Sequence, residues 1–385
     1  MSEAWRLHGS LDENALRQAL QKIVRRHAAL RTYFVAGGAA AMQVVADTVD
    51  LPLSVTDISH LSSAQREQTL SQMVLAAGNY AFDLSQAPLC RASLIHLNDN
   101  EHVLQLVLHH IITDEWSNDI IWRELAFYYD TSRHAGANEL ARSAIQYSDY
   151  ARWQREQAGS GALDKQMDYW QSQLSGDLPL LQLPTDRPRP PEQSLQGGIV
   201  RRMLPAELLH GVQSLSQQTG TTLFITLLAA FQALLYRYSG QRDILVGSPI
   251  ANRQRAETEN VIGMFINTAV MRAKIDGKIT FAQLLEQVQK TVLDALANQD
   301  LPFDLLVQAM HPDRDLSYNP LFQTMFVFRS DSVERTLPGV EFEPIKVDRG
   351  VSKFDLTLFA GEEDGQLMSA LEYNADLFDE MTAQR

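Results

Sequence analysis

The chain has 385 residues, 45% of them hydrophobic and 21% charged, which is enough for two lobes of ordinary size, each with its own core. Its formal net charge of -14 and its pI of about 5.2 exclude a general nucleic-acid binder, because an anionic surface repels phosphates. The single cysteine, Cys90, excludes an internal disulfide and a cysteine metal cluster.

No apolar run reaches the roughly 18 residues of a membrane-spanning helix, and the N-terminal MSEAWRLHGS lacks the apolar region of a signal peptide. The predicted class is therefore a cytoplasmic enzyme or binding protein. Cys90 lies among apolar neighbours, which favours a small buried hydrophobe over a nucleophile.

The first elements predicted along the chain are a strand and a helix. EAWRLHGSL alternates as a strand does, and Asp12 then caps a helix whose apolar positions share one face: Leu16, Leu20, Ile23 and Val24. The helix runs into RRHAALRTYF. Basic residues are favoured there, because the helix dipole attracts positive charge to the C-terminal end.

Short strands and one helix are predicted next. Residues 36–60 suggest a hairpin-like pair of strands, and residues 63–80 suggest a helix. Two further strands, in LCRASLIHLND and HVLQLVLHH, are joined by a predicted turn at Asn98–Asn100.

The stretch Leu106–Asp119 carries the strongest candidate chemistry, with adjacent His109 and His110 and then Asp114. It predicts a strand, a tight loop and a helix capped by Ser117 or a neighbour. Alternation along a strand predicts that the two histidines point to different sides, so that one faces a cavity. An imidazole is a common general base, and the carboxylate can orient the loop through an ion pair. The spacing alone is equally compatible with two structural histidines at a strand end.

A proline-rich segment at 177–195 divides the sequence. Its prolines exclude a helix or a central strand, so it predicts a linker between lobes at 1–176 and 196–385. Beyond it we predict a strand in GGIVRRMLP, an apolar helix stopped by Gly240, and a strand in DILVGSPIANR that leaves into a loop.

Seven motifs in order resemble those of condensation domains from nonribosomal peptide synthetases. HHIITDEWS resembles HHxxxDG, with Glu115 in place of the glycine, and RRHAALRT resembles RHExLRT. YSDYARW resembles YxDFAxW, although an aromatic helix face packed on the core explains that pattern slightly better than direct chemistry does. The others are LPTDRPRP, VIGMFINT, NQDLPFDLL with Asn298 for a frequent histidine, and RDLSYNPLFQ with Tyr318 for the usual arginine.

The resemblance implies an α/β fold of two chloramphenicol acetyltransferase-like lobes that form a V-shaped pseudo-dimer with a central tunnel. It implies amide-bond formation between a donor acyl or peptidyl thioester and an acceptor aminoacyl thioester. Both would be carried on the 4'-phosphopantetheine of peptidyl carrier domains, upstream and downstream, beside an adenylation domain. No directly bound cofactor, metal, nucleic acid or membrane is implied. Compared with the family, both ends look cut, so a fragment of a longer synthetase is expected.

The resemblance also assigns roles to residues. His110 is expected to act on the acceptor amine as a base or by hydrogen bonding, while His109 and Asp114 shape the loop. The partner of Asp114 is expected to be Arg26, Arg31 or another arginine. Support of the loop and motifs is assigned to Glu115, Trp116, Ser117, Arg26, Arg31, Asn267 and Asn319.

Two alternatives remain open from the sequence. An epimerization domain shares HHxxxD, although IANRQR, RDLSYNPLFQ and LPTDRPRP follow the condensing pattern. A non-catalytic recruitment domain of the same fold is kept open by Glu115, whose bulk and charge replace a glycine. A heterocyclization domain is excluded, because it would replace the histidines with DxxxxD.

Overall fold

A computed structural model describes residues 1–38, 40–133, 140–141, 144–310, 315–329 and 335–385. Arg314, the first residue of the RDLSYNPLFQ motif, lies outside the described residues.

The first half of the chain contains both strands and helices. In chain order these are β1 (Ser2–Gly9), α1 (Glu13–Arg26), β2 (Thr32–Gly37), β3 (Ala40–Val45), β4 (Leu53–Asp57), α2 (Ser63–Gly78), β5 (Cys90–Asn98), β6 (Glu101–Leu108), α3 (Glu115–Arg133), α4 (Tyr147–Gly159) and α5 (Asp164–Gln173). The predicted α1, α2 and β5–β6 pair are confirmed. The hairpin predicted within 36–60 is misplaced: β2 pairs with β3, and β4 pairs in parallel with β5.

The second half continues the α/β pattern. It contains β7 (Gly197–Leu204), α6 (Ala206–Gln218), α7 (Leu223–Ser239), β8 (Asp243–Ile250), β9 (Asn267–Lys274), α8 (Phe281–Ala297), α9 (Phe303–Met310), β10 (Thr324–Arg329), β11 (Val340–Pro344), β12 (Leu356–Glu363), β13 (Gln366–Asn374) and α10 (Glu380–Gln384).

The chain folds as two compact α/β units, neither of which is continuous in sequence. Unit 1 comprises Met1–Glu156, Arg253–Phe265 and the described part of Val333–Arg349. Its five-stranded sheet has the order β11-β1-β6-β5-β4, so its edge strand comes from late in the chain. Unit 2 comprises the remaining described segments and contains a six-stranded sheet in the order β7-β13-β12-β10-β8-β9.

The core of unit 1 forms where α1 and α3 pack beside the sheet. Asp12 caps α1 as predicted, since its Oδ1 accepts a hydrogen bond from the Ala15 N–H at 2.9 Å. The predicted apolar face is buried at Leu16, Leu20, Ile23 and Val24. At about 25 cal/mol per Å² of apolar surface, burying four such side chains is a principal stabilisation of this helix.

The predicted lobe boundaries at 176 and 196 are wrong, because residues 157–195 are part of unit 2. Arg189 forms a partly buried ion pair with Asp355 at 2.9 Å and stacks on Tyr318 at 4.1 Å. The Leu181 N–H donates to Gln323 Oε1 at 2.8 Å. Prolines prevent regular structure, but the arginine side chains and the remaining backbone N–H groups of the segment still bind other residues of unit 2.

Within the described residues, no single helix is long and apolar enough to cross a membrane; the bent pair of α6 and α7 passes that test by length and composition only. α7 buries one face in the apolar core of unit 2, which includes Ile225, Leu228 and Phe231.

Candidate functional site

The two adjacent histidines lie in a tight turn that begins as soon as β6 ends at Leu108. Residues His110–Ile112 form a single 3₁₀ turn. The Ile112 N–H donates to the His109 carbonyl at 3.1 Å. Alternation along a strand therefore does not orient the two histidines, because the strand stops before both of them.

His110 is held by the carbonyl at the end of the same turn. Its Nδ1 lies 2.8 Å from the Thr113 carbonyl oxygen. A carbonyl only accepts, so Nδ1 must carry a proton and donate it. In the neutral ring the lone pair is then on Nε2. The half-buried His110 thus presents a nitrogen that can accept a proton or a hydrogen bond.

Asp114 caps α3 and is almost fully buried, at 2% exposure. Its Oδ1 accepts hydrogen bonds from the Ser117 N–H at 2.8 Å and the Ser117 hydroxyl at 2.6 Å. Its Oδ2 accepts from the Phe265 N–H at 3.0 Å. The N-cap is therefore Asp114, and Ser117, the predicted candidate, is inside the helix. An aspartate is favoured there because it satisfies a helix N–H and complements the dipole.

The ion-pair partner of Asp114 is Arg253, which contacts its two oxygens at 3.0 and 3.2 Å. Both side chains are buried, and Arg253 also donates to the carbonyls of Thr258 and Val261 at 2.6 and 2.8 Å. Burial lowers the pKa of the Arg253 guanidinium, and the charge of Asp114 opposes that shift. The prediction of a buried arginine partner is confirmed.

The two arginines named as candidates have other partners, so those assignments are wrong. Arg26 donates to Glu124 at 3.0 Å, and His27 lies 2.8 Å from the same buried carboxylate. Arg31 donates to the carbonyls of Ala46 and Asp47. The RRHAALRT motif therefore braces α1 against α3 and the first hairpin instead of reaching the histidine loop.

Ser117 connects the first turn of α3 to the segment that carries Arg253. Its Oγ lies 2.9 Å from the Gly263 carbonyl and accepts from the Gly263 N–H at 3.1 Å. It also accepts from Arg253 Nη2 at 2.9 Å. Ser117 is completely buried.

The aromatic motif on α4 packs against the same segment. Tyr147 and Tyr150 contact the Phe265 ring at centroid distances of 5.2 and 4.6 Å. Burial raises the pKa of Tyr147 to about 12, and its hydroxyl donates to the Met264 carbonyl at 2.9 Å. These contacts favour the packing interpretation of YSDYARW over direct chemistry.

Glu115 and Trp116 begin α3 and are both exposed. The Glu115 backbone is helical and is not among those with a positive φ, so the position does not require glycine for its conformation. Glu115 forms no salt bridge with any residue that the structure describes. Trp116 donates its indole N–H to the Glu259 carbonyl at 2.9 Å and so ties the start of α3 to the segment that carries Arg253.

The two asparagines assigned to motif support make their contacts within unit 2. Asn267 donates to the Gln299 and Leu301 carbonyls at 2.9 and 2.7 Å, and thereby fixes the NQDLPF loop. Asn319 donates to the Lys353 carbonyl at 2.8 Å. Both roles are structural.

Arg253 is the functional residue that sequence reasoning missed. It belongs to IANRQR, where nothing local distinguishes it from the other arginines, and it is 139 positions from its partner. The available signal was indirect, because a buried carboxylate needs a cation from somewhere in the chain.

Cys90 is buried, and burial raises the pKa of its thiol to about 12, so it is protonated at neutral pH and unsuited to nucleophilic attack. Among the residues that the structure describes, no group of three or more His, Cys, Asp or Glu side chains is arranged to hold a metal ion.

Sequence comparison gives consistent matches. The family model described as "Condensation domain" matches residues 1–385. One of the linear gramicidin synthase proteins of Brevibacillus parabrevis is 44% identical over 385 residues, covering 99% of this chain and 5% of that protein. Phosphinothricin tripeptide synthetase PhsC of Streptomyces viridochromogenes is 37% identical over 389 residues, covering 100% of this chain and 36% of that protein. The chain thus spans only a small part of these relatives.

Solved structures share the fold. The X-domain from teicoplanin biosynthesis has a TM-score of 0.89 and 28% identity, covering 100% of this chain and 86% of that one. Holo-AB3403, a four-domain nonribosomal peptide synthetase, has a TM-score of 0.87 and 25% identity, covering 100% of this chain and 30% of that one. The condensation domain of the monacolin K polyketide synthase MokA, at 21% identity over 98% of this chain and 87% of that one, has a TM-score of 0.85 and supports the fold alone.

Proposed function

The chain belongs to the condensation domain family over residues 1–385, and on that premise we propose that it joins a donor acyl or peptidyl group to an acceptor aminoacyl group by an amide bond. Both substrates are thioesters on the 4'-phosphopantetheine arms of partner carrier domains, one upstream and one downstream, with an adenylation domain nearby. Support comes from the relatives. One is a synthase of which this chain covers 5%, and another is a synthetase of which it covers 36%.

The reaction needs one carbon–nitrogen bond to form and one carbon–sulfur bond to break. The acceptor's amine attacks the donor's thioester carbonyl, and the tetrahedral intermediate expels the donor thiolate. The amine loses one proton, and the thiolate takes one up. No acyl-enzyme is required, and the buried Cys90 thiol, with its pKa of about 12, is not suited to form one.

The observation that carries the proposal is the hydrogen bond from His110 Nδ1 to the Thr113 carbonyl. It leaves Nε2 of the neutral ring as the acceptor for the amine's proton, or for a hydrogen bond that orients the amine. General base catalysis contributes about 10²–10⁴-fold, and positioning contributes comparable or larger factors.

The test is the intact chain incubated with two separately loaded carrier proteins. Wild-type protein should give the dipeptide, and His110→Ala should reduce its rate by at least about 10²-fold without loss of folded structure. His210→Ala removes an exposed histidine on α6 and is the matched control, which should retain full activity. Equal rates for wild type and His110→Ala would refute the role of His110.

Two other outcomes of this assay separate the alternatives. A racemised donor without dipeptide would identify an epimerization domain. No product, with both carriers confirmed as loaded, would favour a recruitment domain; the similar teicoplanin X-domain is known in a complex with OxyB. The complete His109, His110 and Asp114 arrangement supports catalysis over recruitment.

A further inference from the structure

The turn that carries His110 begins directly after a strand, with no preceding serine, threonine, aspartate or asparagine to cap it. The first N–H groups of any helical turn lack partners within that turn. Here the Ile111 N–H donates to Nδ1 of the His109 ring at 3.2 Å. The imidazole of His109 therefore occupies the place of an N-cap side chain.

This contact determines which ring nitrogen of His109 carries a proton. A backbone N–H can only donate, so Nδ1 must hold a lone pair, and the neutral ring carries its proton on Nε2. His110 has the reverse arrangement, because its Nδ1 donates to the Thr113 carbonyl. Adjacent, chemically identical side chains are thus held in opposite tautomers by backbone groups of one five-residue loop.

We propose that His109 is a positioning residue that, as its neutral Nε2–H tautomer, caps the turn and so fixes the ring of His110. This inference rests on the proposed role of His110. Without the cap, the Ile111 N–H loses its partner and the turn can unwind towards the extended strand that precedes it. The His110 ring would then move relative to the Thr113 carbonyl, and Nε2 would no longer have a fixed position.

Packing alone does not account for a histidine at this position. The His109 ring contacts Phe82 edge to face at 6.0 Å, a contact that another aromatic ring can also make. The hydrogen bond to Ile111 requires an acceptor at the position of Nδ1. The side-chain oxygen of asparagine lies at the same distance from the backbone as Nδ1, and asparagine is a good N-cap residue. The oxygen of glutamine is one bond further away, near the position of Nε2.

The matched pair His109→Asn and His109→Gln therefore separates capping from other roles, with kcat and KM measured separately for dipeptide formation. His109→Asn should keep kcat within about threefold of wild type, because the cap is preserved. His109→Gln and His109→Phe should lose about 10²-fold in kcat with little change in KM, because the reacting geometry loosens. Equal losses for asparagine and glutamine, or full activity with phenylalanine, would overturn the proposal.

A second measurement does not depend on catalysis. Two-bond ¹H–¹⁵N NMR spectra of histidine-labelled wild-type protein, assigned with the His109 and His110 variants, report the tautomer of each ring. The expected result is an unprotonated Nδ1 in His109 and a protonated Nδ1 in His110, with the His110 signature retained in His109→Asn and lost in His109→Gln. A protonated Nδ1 in wild-type His109 would overturn the proposal, even if the protein forms no dipeptide. The expected tautomers in a protein that forms no product would contradict only the proposed function.

Discussion

The ring of Tyr147 covers Gly263 so closely that a methyl group on this glycine would lie 2.1 Å from the ring carbon Cδ2. The ring cannot easily retreat, because its hydroxyl donates to the Met264 carbonyl and the ring packs edge to face with Phe265. Glycine is required here by close approach, since Gly263 does not have a positive φ. This contact joins the glycine of VIGMFINT to the tyrosine of YSDYARW.

The first prediction follows from that contact. Gly263→Ala should lower the free energy of unfolding by about 1–3 kcal/mol, as overpacking of a filled core does. The control is Gly211→Ala, on the exposed side of α6, where an added methyl group meets nothing within 4 Å. That change should raise the stability by up to about 1 kcal/mol through helix propensity. Chemical denaturation checks both, and equal effects of the two substitutions would contradict the prediction.

The second prediction concerns the buried pair of Asp114 and Arg253. Asp114→Asn should cost about 3–5 kcal/mol of stability, because it leaves the guanidinium without its counter-charge. Arg253→Met should cost a similar amount, and the double variant much less than the sum. Arg26→Met is the control: it should show no coupling to Asp114→Asn, since Arg26 pairs with Glu124. Wild-type stability with lost activity in Asp114→Asn would instead make this aspartate catalytic.

Glu115, where the family motif has glycine, is the subject of the third prediction. Because this side chain is exposed and its backbone is already helical, Glu115→Gly should leave dipeptide formation within about threefold of wild type. Stability should fall by about 0.5–1 kcal/mol, as glycine is a poor helix residue and an acidic group complements the helix N-terminus. Glu115→Gln removes the negative charge but keeps a similar helix propensity, so it separates the two effects. A rate gain above tenfold in both variants would show that the charge inhibits the reaction.

A fourth prediction uses His102, a buried histidine on β6, the strand that precedes the histidine turn. Burial lowers the pKa of His102, and the neighbouring His96 ring, 4.7 Å away, adds to this shift against the charges of Glu13 and Glu101. The unfolded chain therefore binds a proton more readily than the folded chain at this residue, so stability should fall as the pH drops below about 6.5. His102→Gln should reduce the loss in Tm between pH 7.5 and 5.5. The exposed His210→Gln is the control, and an unchanged loss in His102→Gln would refute the assignment.

Local structure was largely predictable from the sequence, whereas long-range pairing was not. The helix at α1 followed from the spacing of Leu16, Leu20 and Ile23 and from the Asp12 cap, and the order of strand, loop and helix around the histidines was also correct. Periodicity identifies which face is buried, but it does not identify the element that covers it. The partner of Asp114 is 139 positions away, and β1 pairs with β11 from the other end of the chain. The proline-rich segment was misassigned for a related reason, because composition excludes regular structure but says nothing about packing.

Unit 1 is built from separate stretches of the sequence, and this limits which recombinant chains can fold. Asp114 lies before residue 157, and Arg253 lies in the short stretch Arg253–Phe265 that returns to the same unit. A genetic exchange with a breakpoint between these positions would combine an aspartate from one parent with an arginine, a Gly263 and an edge strand from another. Such chimaeras should survive only when both parents carry matching versions of these residues. Selection among recombinant chains is therefore expected to keep the two stretches from the same parent, although roughly a hundred residues of unit 2 lie between them.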